Sequence, residues 1–397
     1  IRDSNKYAWR DWLFLGAPRE CTFRDGDEFQ DGAVYVYRRT GAEYSFVEKL
    51  SRSGTSIELG DRFGAGVVAG GGYLFVGASN DQDFGGLIDP RDEPDQPSFY
   101  FAGKVQIYKL NLSEDSWQFQ QTLQSPTPGS FGSFGARTQS HHIALNAAAN
   151  LAVIGEFNGY AGGAGELHVY RLQDGTWNRV QTVAAPVGVD DFADTVLPLD
   201  GDHFAVNGAA TTVDDATPKV FVFETQGIGL NALPVHTETF DTIDFAACGS
   251  LVFNSGFAAA GDAIAFAEPC ATTFAGANAG RVRIFSFDES QQSLALQQTI
   301  DGGLADGYMG LNLNVGQEVI ALDRSGRRLA IGAPFVGPLP LDPQTATGMD
   351  VLSYSRNQNG NWNEVARLAS PTTGLPTFFQ MFGDAVLITH GRILVSE

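Results

Sequence analysis

Apolar and polar residues alternate along this chain in short runs bounded by glycine-rich turns. Gly60 to Ser79 shows the pattern most plainly: Phe63-Gly64 opens an apolar run from Ala65 to Ala69, Gly70 to Gly72 make a turn, and Tyr73 to Val76 close on Gly77-Ala78. Two β-rich runs around a glycine turn predict a tight hairpin. The second run recurs as Leu13-Phe-Leu-Gly16, Leu74-Phe-Val-Gly77, Ala152-Val-Ile-Gly155, Ala205-Val-Asn-Gly208, Ile264-Ala-Phe-Ala267, Leu329-Ala-Ile-Gly332 and Ile393-Leu-Val-Ser396. Spacings of 53 to 78 residues between these runs predict an array of supersecondary units.

After a loop, each of the first six runs leads to a third alternating segment, such as Gly32-Ala-Val-Tyr-Val-Tyr37, Gly103-Lys-Val-Gln-Ile-Tyr108 and Gly165-Glu-Leu-His-Val-Tyr170. A fourth follows a short polar turn, as in Trp117 to Leu123, Trp177 to Val183, Leu294 to Ile300 and Trp362 to Leu368. Four antiparallel strands per unit, repeated radially, predict an all-β fold, the β-propeller of four-stranded blades. Six units carry strands two to four and a seventh begins. We therefore expect a seven-bladed propeller, with a six-bladed one as the alternative. The first strands should contain Val67, Ile143, Leu313 and Val386. The unit from Asp190 to Phe240 departs most from the pattern, and the next one also departs from it.

Phe63-Gly64, Phe134-Gly135 and Phe382-Gly383 stand at the heads of units, and Gly16-Ala-Pro18 and Gly332-Ala-Pro334 close second strands. In these residues the chain resembles the FG-GAP repeat of the integrin α-chain head and of bacterial secreted proteins. The resemblance covers nearly the whole chain. It implies a propeller and an extracellular or cell-surface setting, but no particular function, because function sits on loops grafted onto the fold.

The length suits one propeller over residues 1–397. No first strand with Phe-Gly precedes Leu13, and the last unit stops after its second strand, so incomplete blades are expected at both ends and a longer or processed parent chain is inferred. No apolar run reaches the roughly 20 residues that span a bilayer. The formal net charge of −21 argues against nucleic acid, whose phosphates demand clustered Lys and Arg, and against an anionic membrane surface. Of three cysteines, Cys248 and Cys270 lie in one expected hairpin and are candidates for a disulfide, while Cys21 has no evident partner.

The loops between first and second strands are short. Those between second and third are long: Pro18 to Asp31, Ser79 to Ala102, Glu156 to Ala164, Ala209 to Pro218, Glu268 to Ala279 and Pro334 to Gly348. In a four-stranded meander these long loops share one face, which is where binding is expected. The longest combines Asp89, Asp92, Glu93 and Asp95 with Phe99, Tyr100 and Phe101, the composition of a partner-contacting surface.

Calcium is expected in the same loops. Asp25, Asp27, Glu28 and Asp31 fall within seven residues, between glycines that let backbone fold around an ion. Asn80, Asp81 and Asp83 take the matching place one blade later. Integrin-like repeats hold Ca²⁺ between strands one and two. Here those turns are short and poor in acid, Asp323 to Gly326 being the nearest, so that family site is not carried over.

Catalytic patterns are weak. His141-His142 point to opposite faces of a strand and cannot readily chelate one ion together. There is no Gly-x-Ser-x-Gly elbow. Gly162 to Glu166 lacks the strand–turn–helix setting of a phosphate loop. Asn111-Leu-Ser113 is the single glycosylation sequon, placed in a hairpin. The residues thus favour a non-enzymatic module for recognition or adhesion, binding a protein or glycan partner. A propeller-fold lyase or hydrolase acting on polysaccharide, a structural subunit of an extracellular assembly and a lectin are the alternatives.

Overall fold

The computed structural model describes residues 6–24, 27–29, 31–51, 62–79, 103–126, 133–135, 141–146, 148, 150–156, 164–190, 192–200, 202–212, 215–231, 233–239, 256–303, 309, 319–333, 350–369, 382–383 and 385–395. They form antiparallel sheets joined by turns, with no helix among the described residues. The fold is a β-propeller of four-stranded antiparallel blades, and among the described residues the blades number six, which corrects the expectation of seven.

Blade one comprises Lys6–Trp9, Trp12–Ala17, Ala33–Thr40 and Glu43–Leu50, and blade two Phe63–Gly70, Tyr73–Ala78, Lys104–Asn111 and Ser116–Gln124. Blade three comprises Ile143–Asn146, Leu151–Glu156, Glu166–Gln173 and Thr176–Ala184. The fourth sheet runs in the order Val189–Asp190, His203–Thr212, Asp215–Gln226, Gly229–Leu230, with further short strands. Blade five is Phe257–Ala260, Ala263–Glu268, Arg281–Asp288 and Ser293–Asp301; blade six is Ile320–Leu322, Arg328–Ala333, Asp350–Arg356 and Trp362–Ala369. The last described residues form a two-stranded hairpin, Val386–Thr389 with Arg392–Val395. What reads in sequence as the start of a seventh blade is this hairpin. By contacts the chain divides into two compact units: Ile1–Val196 with Val206–Pro234, and Leu197–Ala205 with Val235–Glu397.

The N-terminal blade is not incomplete. Lys6–Trp9 pairs in register with Trp12–Leu15 and supplies the first strand without any Phe-Gly. Val67, Ile143 and Val386 lie in first strands as expected, and Leu313 lies outside the described residues. The loop expected at Ala209 to Pro218 is largely a continuation of two long strands.

Within the first unit, apolar side chains fill the space between successive blades. One cluster joins Trp9, Phe14 and Val36 of blade one to Phe63, Leu74 and Trp117 of blade two. Another joins Phe75 and Ile107 of blade two to Ile154 and Trp177 of blade three. In the second unit Ala265 and Ile284 of blade five pack with Ile331 and Trp362 of blade six. Blade six in turn packs Ala330 and Val351 against Val386 and Ile388 of the hairpin.

The Phe-Gly motif has a physical reason. Gly32 starts the third strand of blade one with φ +78°, and a Cβ there would lie 2.2 Å from the carbonyl oxygen of Phe63. The same crowding sets Gly103 against Phe134, Gly165 against Phe192 and Gly280 against Met309. The backbone at the Phe position of each of these units thus crosses a bare glycine of the preceding blade, which leaves no room for a Cβ on that glycine. Phe192-Ala193 and Met309 take this place where the Phe-Gly pair itself is missing.

A second repeat appears on the fourth strands, where an amide side chain joins one blade to the next. Gln121 Nε2 donates to the Trp177 carbonyl at 2.8 Å and its Oε1 accepts the Trp177 amide at 3.0 Å. Gln181 does the same for Leu230, and Gln298 for Trp362. In blade one the residue is Glu48, whose Oε1 accepts the Trp117 amide at 2.7 Å.

Candidate functional site

The second and third strands of each blade end at the long-loop side. There a recurrent register position carries a polar side chain matched to an acid. In blade three, His168 sits two residues into the third strand, opposite Thr182 of the fourth. His168 and Glu156 are both fully buried, with His168 Nε2 2.8 Å from Glu156 Oε2. Ser125 Oγ donates to the same oxygen at 2.7 Å, and Thr182 Oγ1 lies 3.2 Å from His168 Nδ1. Glu166 Oε2 stands 3.8 Å from His168 Nε2.

The equivalent pair in blade five is Arg283 with Glu268, Nε to Oε1 2.6 Å, flanked by Arg281 and Asp301 at 2.7 Å. Burial raises the Glu268 pKa above the ordinary carboxylate range, outweighing the neighbouring guanidinium groups that pull it down. In blade one Tyr35 takes this place and donates to Glu20 Oε2 at 2.6 Å, with Lys49 on the other carboxylate oxygen. The bond to Glu20, and then burial, push Tyr35 up to about 12. Burial works to raise the Glu20 pKa, but its bonds to Lys49 and Tyr35 prevail and hold it low.

These clusters brace the loop ends. In the Ser–Glu–His group the carboxylate sits in the middle and accepts from both neighbours. The Ser125 hydroxyl meets the carboxylate and not the imidazole; the hydroxyl beside the imidazole is that of Thr182, on the opposite ring nitrogen from Glu156. Sequence reasoning missed them. The available signal was Glu156 and Glu268 closing second strands where Ala17, Ala78 and Ala333 stand in other blades.

The expected calcium ligands are only partly placed. Asp27 and Glu28 lie in a short strand, Asp27–Phe29, paired with Thr22–Arg24. Asp31 is buried, and its carbonyl accepts the Phe63 amide at 2.9 Å. Asp25, Asn80, Asp81 and Asp83 lie outside the described residues, as do the contact residues Asp89, Asp92, Glu93, Asp95, Phe99, Tyr100 and Phe101. Among the described residues no group of three or more His, Cys, Asp or Glu could hold a metal ion. The Asp323 carboxylate is occupied by its own turn, accepting from the Arg327 and Arg328 amides and the Ser325 hydroxyl.

Cys270 is disulfide-bonded, while Cys248 lies outside the described residues. Cys21 is a thiol whose Sγ donates to the Arg19 carbonyl. His142 is buried, 3.8 Å from Asp194, and the His141 carbonyl accepts the Val196 amide. Asn111 Oδ1 accepts both the amide and the hydroxyl of Ser113, so the sequon forms a closed turn beside exposed Leu112.

One long loop is fully described, residues 269–280 of blade five. Thr273 and Gly276 exchange backbone hydrogen bonds, and Thr273 Oγ1 both accepts from the Ala275 amide and donates to the Gly302 carbonyl. At the tip of this braced turn Phe274 is 85% exposed.

No family model matches the chain, and no curated protein does. Its backbone is similar to that of solved structures. A hypothetical selenium-binding protein from Sulfolobus tokodaii matches with a TM-score of 0.53 and 12% identity, over 91% of this chain and 76% of that one. A protein from Lactobacillus plantarum matches at 0.47 and 11%, over 92% and 84%. A 6-phosphogluconolactonase-like protein from Bacteroides fragilis matches at 0.38 and 10%, over 90% and 95%. At such identity the first likeness speaks for the propeller fold alone. No helix among the described residues is long and apolar enough to cross a membrane.

Proposed function

We propose that this chain is a recognition module of the FG-GAP type, exposed outside the cell or on its surface, that binds a protein or glycan partner through the loops between second and third strands. The observation that carries this reading is Phe274. A phenyl ring left 85% exposed on a turn held by three internal hydrogen bonds is an anchor presented at little entropic cost. The disulfide at Cys270, next to this turn, fits an oxidising compartment. The acidic and aromatic segment from Asp89 to Phe101 would extend the same surface.

The test is capture of partners from glycan arrays and extracellular protein fractions, with and without Ca²⁺. Phe274→Ser should weaken capture at least tenfold and leave the melting temperature unchanged. Capture that is indifferent both to Phe274→Ser and to removal of residues 85–98 overturns the reading.

A further inference from the structure

The fourth strands of blades two, three and five repeat one dipeptide: Gln121-Thr122, Gln181-Thr182 and Gln298-Thr299. The glutamine clasps the next blade. The threonine is exposed each time and pairs with the third strand at one register position, opposite Gln106, His168 and Arg283. Of these three threonines, Thr182 alone faces an imidazole.

That imidazole is equipped as a base. His168 Nε2 lies 2.8 Å from Glu156 Oε2, and both side chains are fully buried. Glu166 adds a second carboxylate on the Nε2 side, at 3.8 Å. Carboxylates there hold the ring proton on Nε2, which leaves Nδ1 as the acceptor facing Thr182 Oγ1, 3.2 Å away. Ser125 Oγ donates to Glu156 Oε2 at 2.7 Å, and Phe134 packs against the imidazole at 5.5 Å, so both partners are fixed. On its other side Thr182 Oγ1 accepts from Arg179 Nη1 at 3.0 Å. The hydroxyl is thereby oriented to donate to Nδ1, and the guanidinium favours negative charge on its oxygen. Hydroxyl, imidazole and carboxylate follow the order of nucleophile, base and the group that orients the base.

We propose that Thr182 is the nucleophile of an acyl-transfer centre that takes acyl groups from small esters. The hydroxyl stands on an exposed strand, which suits a small donor rather than one that needs an enclosing pocket. Thr182 Oγ bonds to the ester carbonyl carbon while its proton passes to His168 Nδ1. The bond from that carbon to the alcohol oxygen breaks, and the alcohol leaves with the proton. Water, activated by the same base, then cleaves the threonyl ester, releasing the acid and restoring the hydroxyl. Glu156 touches no reacting atom; it is a positioning residue that holds the tautomer and offsets the imidazolium.

The experiment incubates the full chain with p-nitrophenyl acetate and follows p-nitrophenolate release together with peptide masses. An acetyl group should appear on Thr182 and not on Thr122 or Thr299, which are equally open but lack the imidazole. His168→Gln, which copies Gln106 at the same register position, should slow release about a hundredfold. Thr182→Val, at an exposed site, should slow it as much, and decides the matter if His168→Gln does not fold. The wild-type rate should rise with pH until the imidazole is neutral. Glu156→Gln should move that rise to lower pH, because the imidazolium loses its counter-charge. Release unchanged in Thr182→Val overturns the proposal. So does acetylation shared equally with Thr122 and Thr299, or found on His168 instead.

Discussion

Gln121 closes both backbone groups of Trp177 on the next blade, its amide acting as one further peptide unit of that strand. The indole of Trp177 meanwhile packs edge-on against Phe75 and Tyr73 of Gln121's own blade, at 5.0 and 5.5 Å. A polar clasp and an aromatic wedge thus secure one boundary from opposite sides.

Removing the clasp should be costly without changing the fold. Gln121→Ala or Gln298→Ala leaves a tryptophan amide and carbonyl without these bonds, a loss of about 1–3 kcal/mol. Urea unfolding should show a lower midpoint with an unchanged slope. The two effects should add, since the clasps lie in different units. A change below about 0.3 kcal/mol would assign the stability of these boundaries to tryptophan packing instead.

Glu48 occupies the clasp position of blade one and lacks a donor for the Trp117 carbonyl. Burial raises its pKa, only partly opposed by the Trp117 amide. A raised native pKa means that the folded chain binds this proton more tightly than the unfolded one. The stabilisation linked to that proton is complete below the unfolded value and is lost as pH rises through the native value. Glu48→Gln should therefore be more stable than the wild type at neutral pH, with the difference shrinking toward pH 4. Unfolding midpoints measured across that range check the sign.

Gly32 and Gly41 separate two costs. Both have positive φ, but a Cβ on Gly41 meets open space and one on Gly32 meets the Phe63 backbone. Gly41→Ala should cost about 1–2 kcal/mol, the left-handed strain alone. Gly32→Ala should exceed this by several-fold or yield no folded protein. Equal losses in thermal melts would show that blade two can move away from blade one.

Much of this architecture was legible in the chain. Gly165-Glu-Leu-His-Val-Tyr170 reads as a strand because alternation and the glycine start coincide, and the structure places it so. Lys6–Trp9 was not legible as a first strand, since it carries no Phe-Gly; Trp9 is buried in the cluster between blades one and two, with Tyr7 packed against it. The extended ladder through Ala209 to Thr212 read as loop because Asp214-Asp215 and Pro218 signal a break that tertiary pairing overrides. The buried pairs at Glu156 and Glu268 were invisible for another reason. A charge in a sequence looks solvated until the strand that brings its partner is known.

Calcium remains a test of the loop from Asp25 to Asp31. If the ion binds the native state alone, the melting temperature should rise with Ca²⁺ and fall with EDTA, and Asp27→Ala should abolish the difference. Identical curves in both conditions, with Asp27→Ala matching the wild type, would remove the ion from this protein.

In five blades the pairing of third and fourth strands slips by one residue, beside Tyr37, Tyr108, Tyr170, Phe285 and Tyr354. The fourth strand is the sheet edge, and an edge with even spacing invites strands from other molecules. A slip in mid-strand spoils that template, because an incoming chain cannot stay in register past it. The protein therefore carries five guarded edges, and crowding at high concentration should not by itself turn these fourth strands into a seed for aggregates.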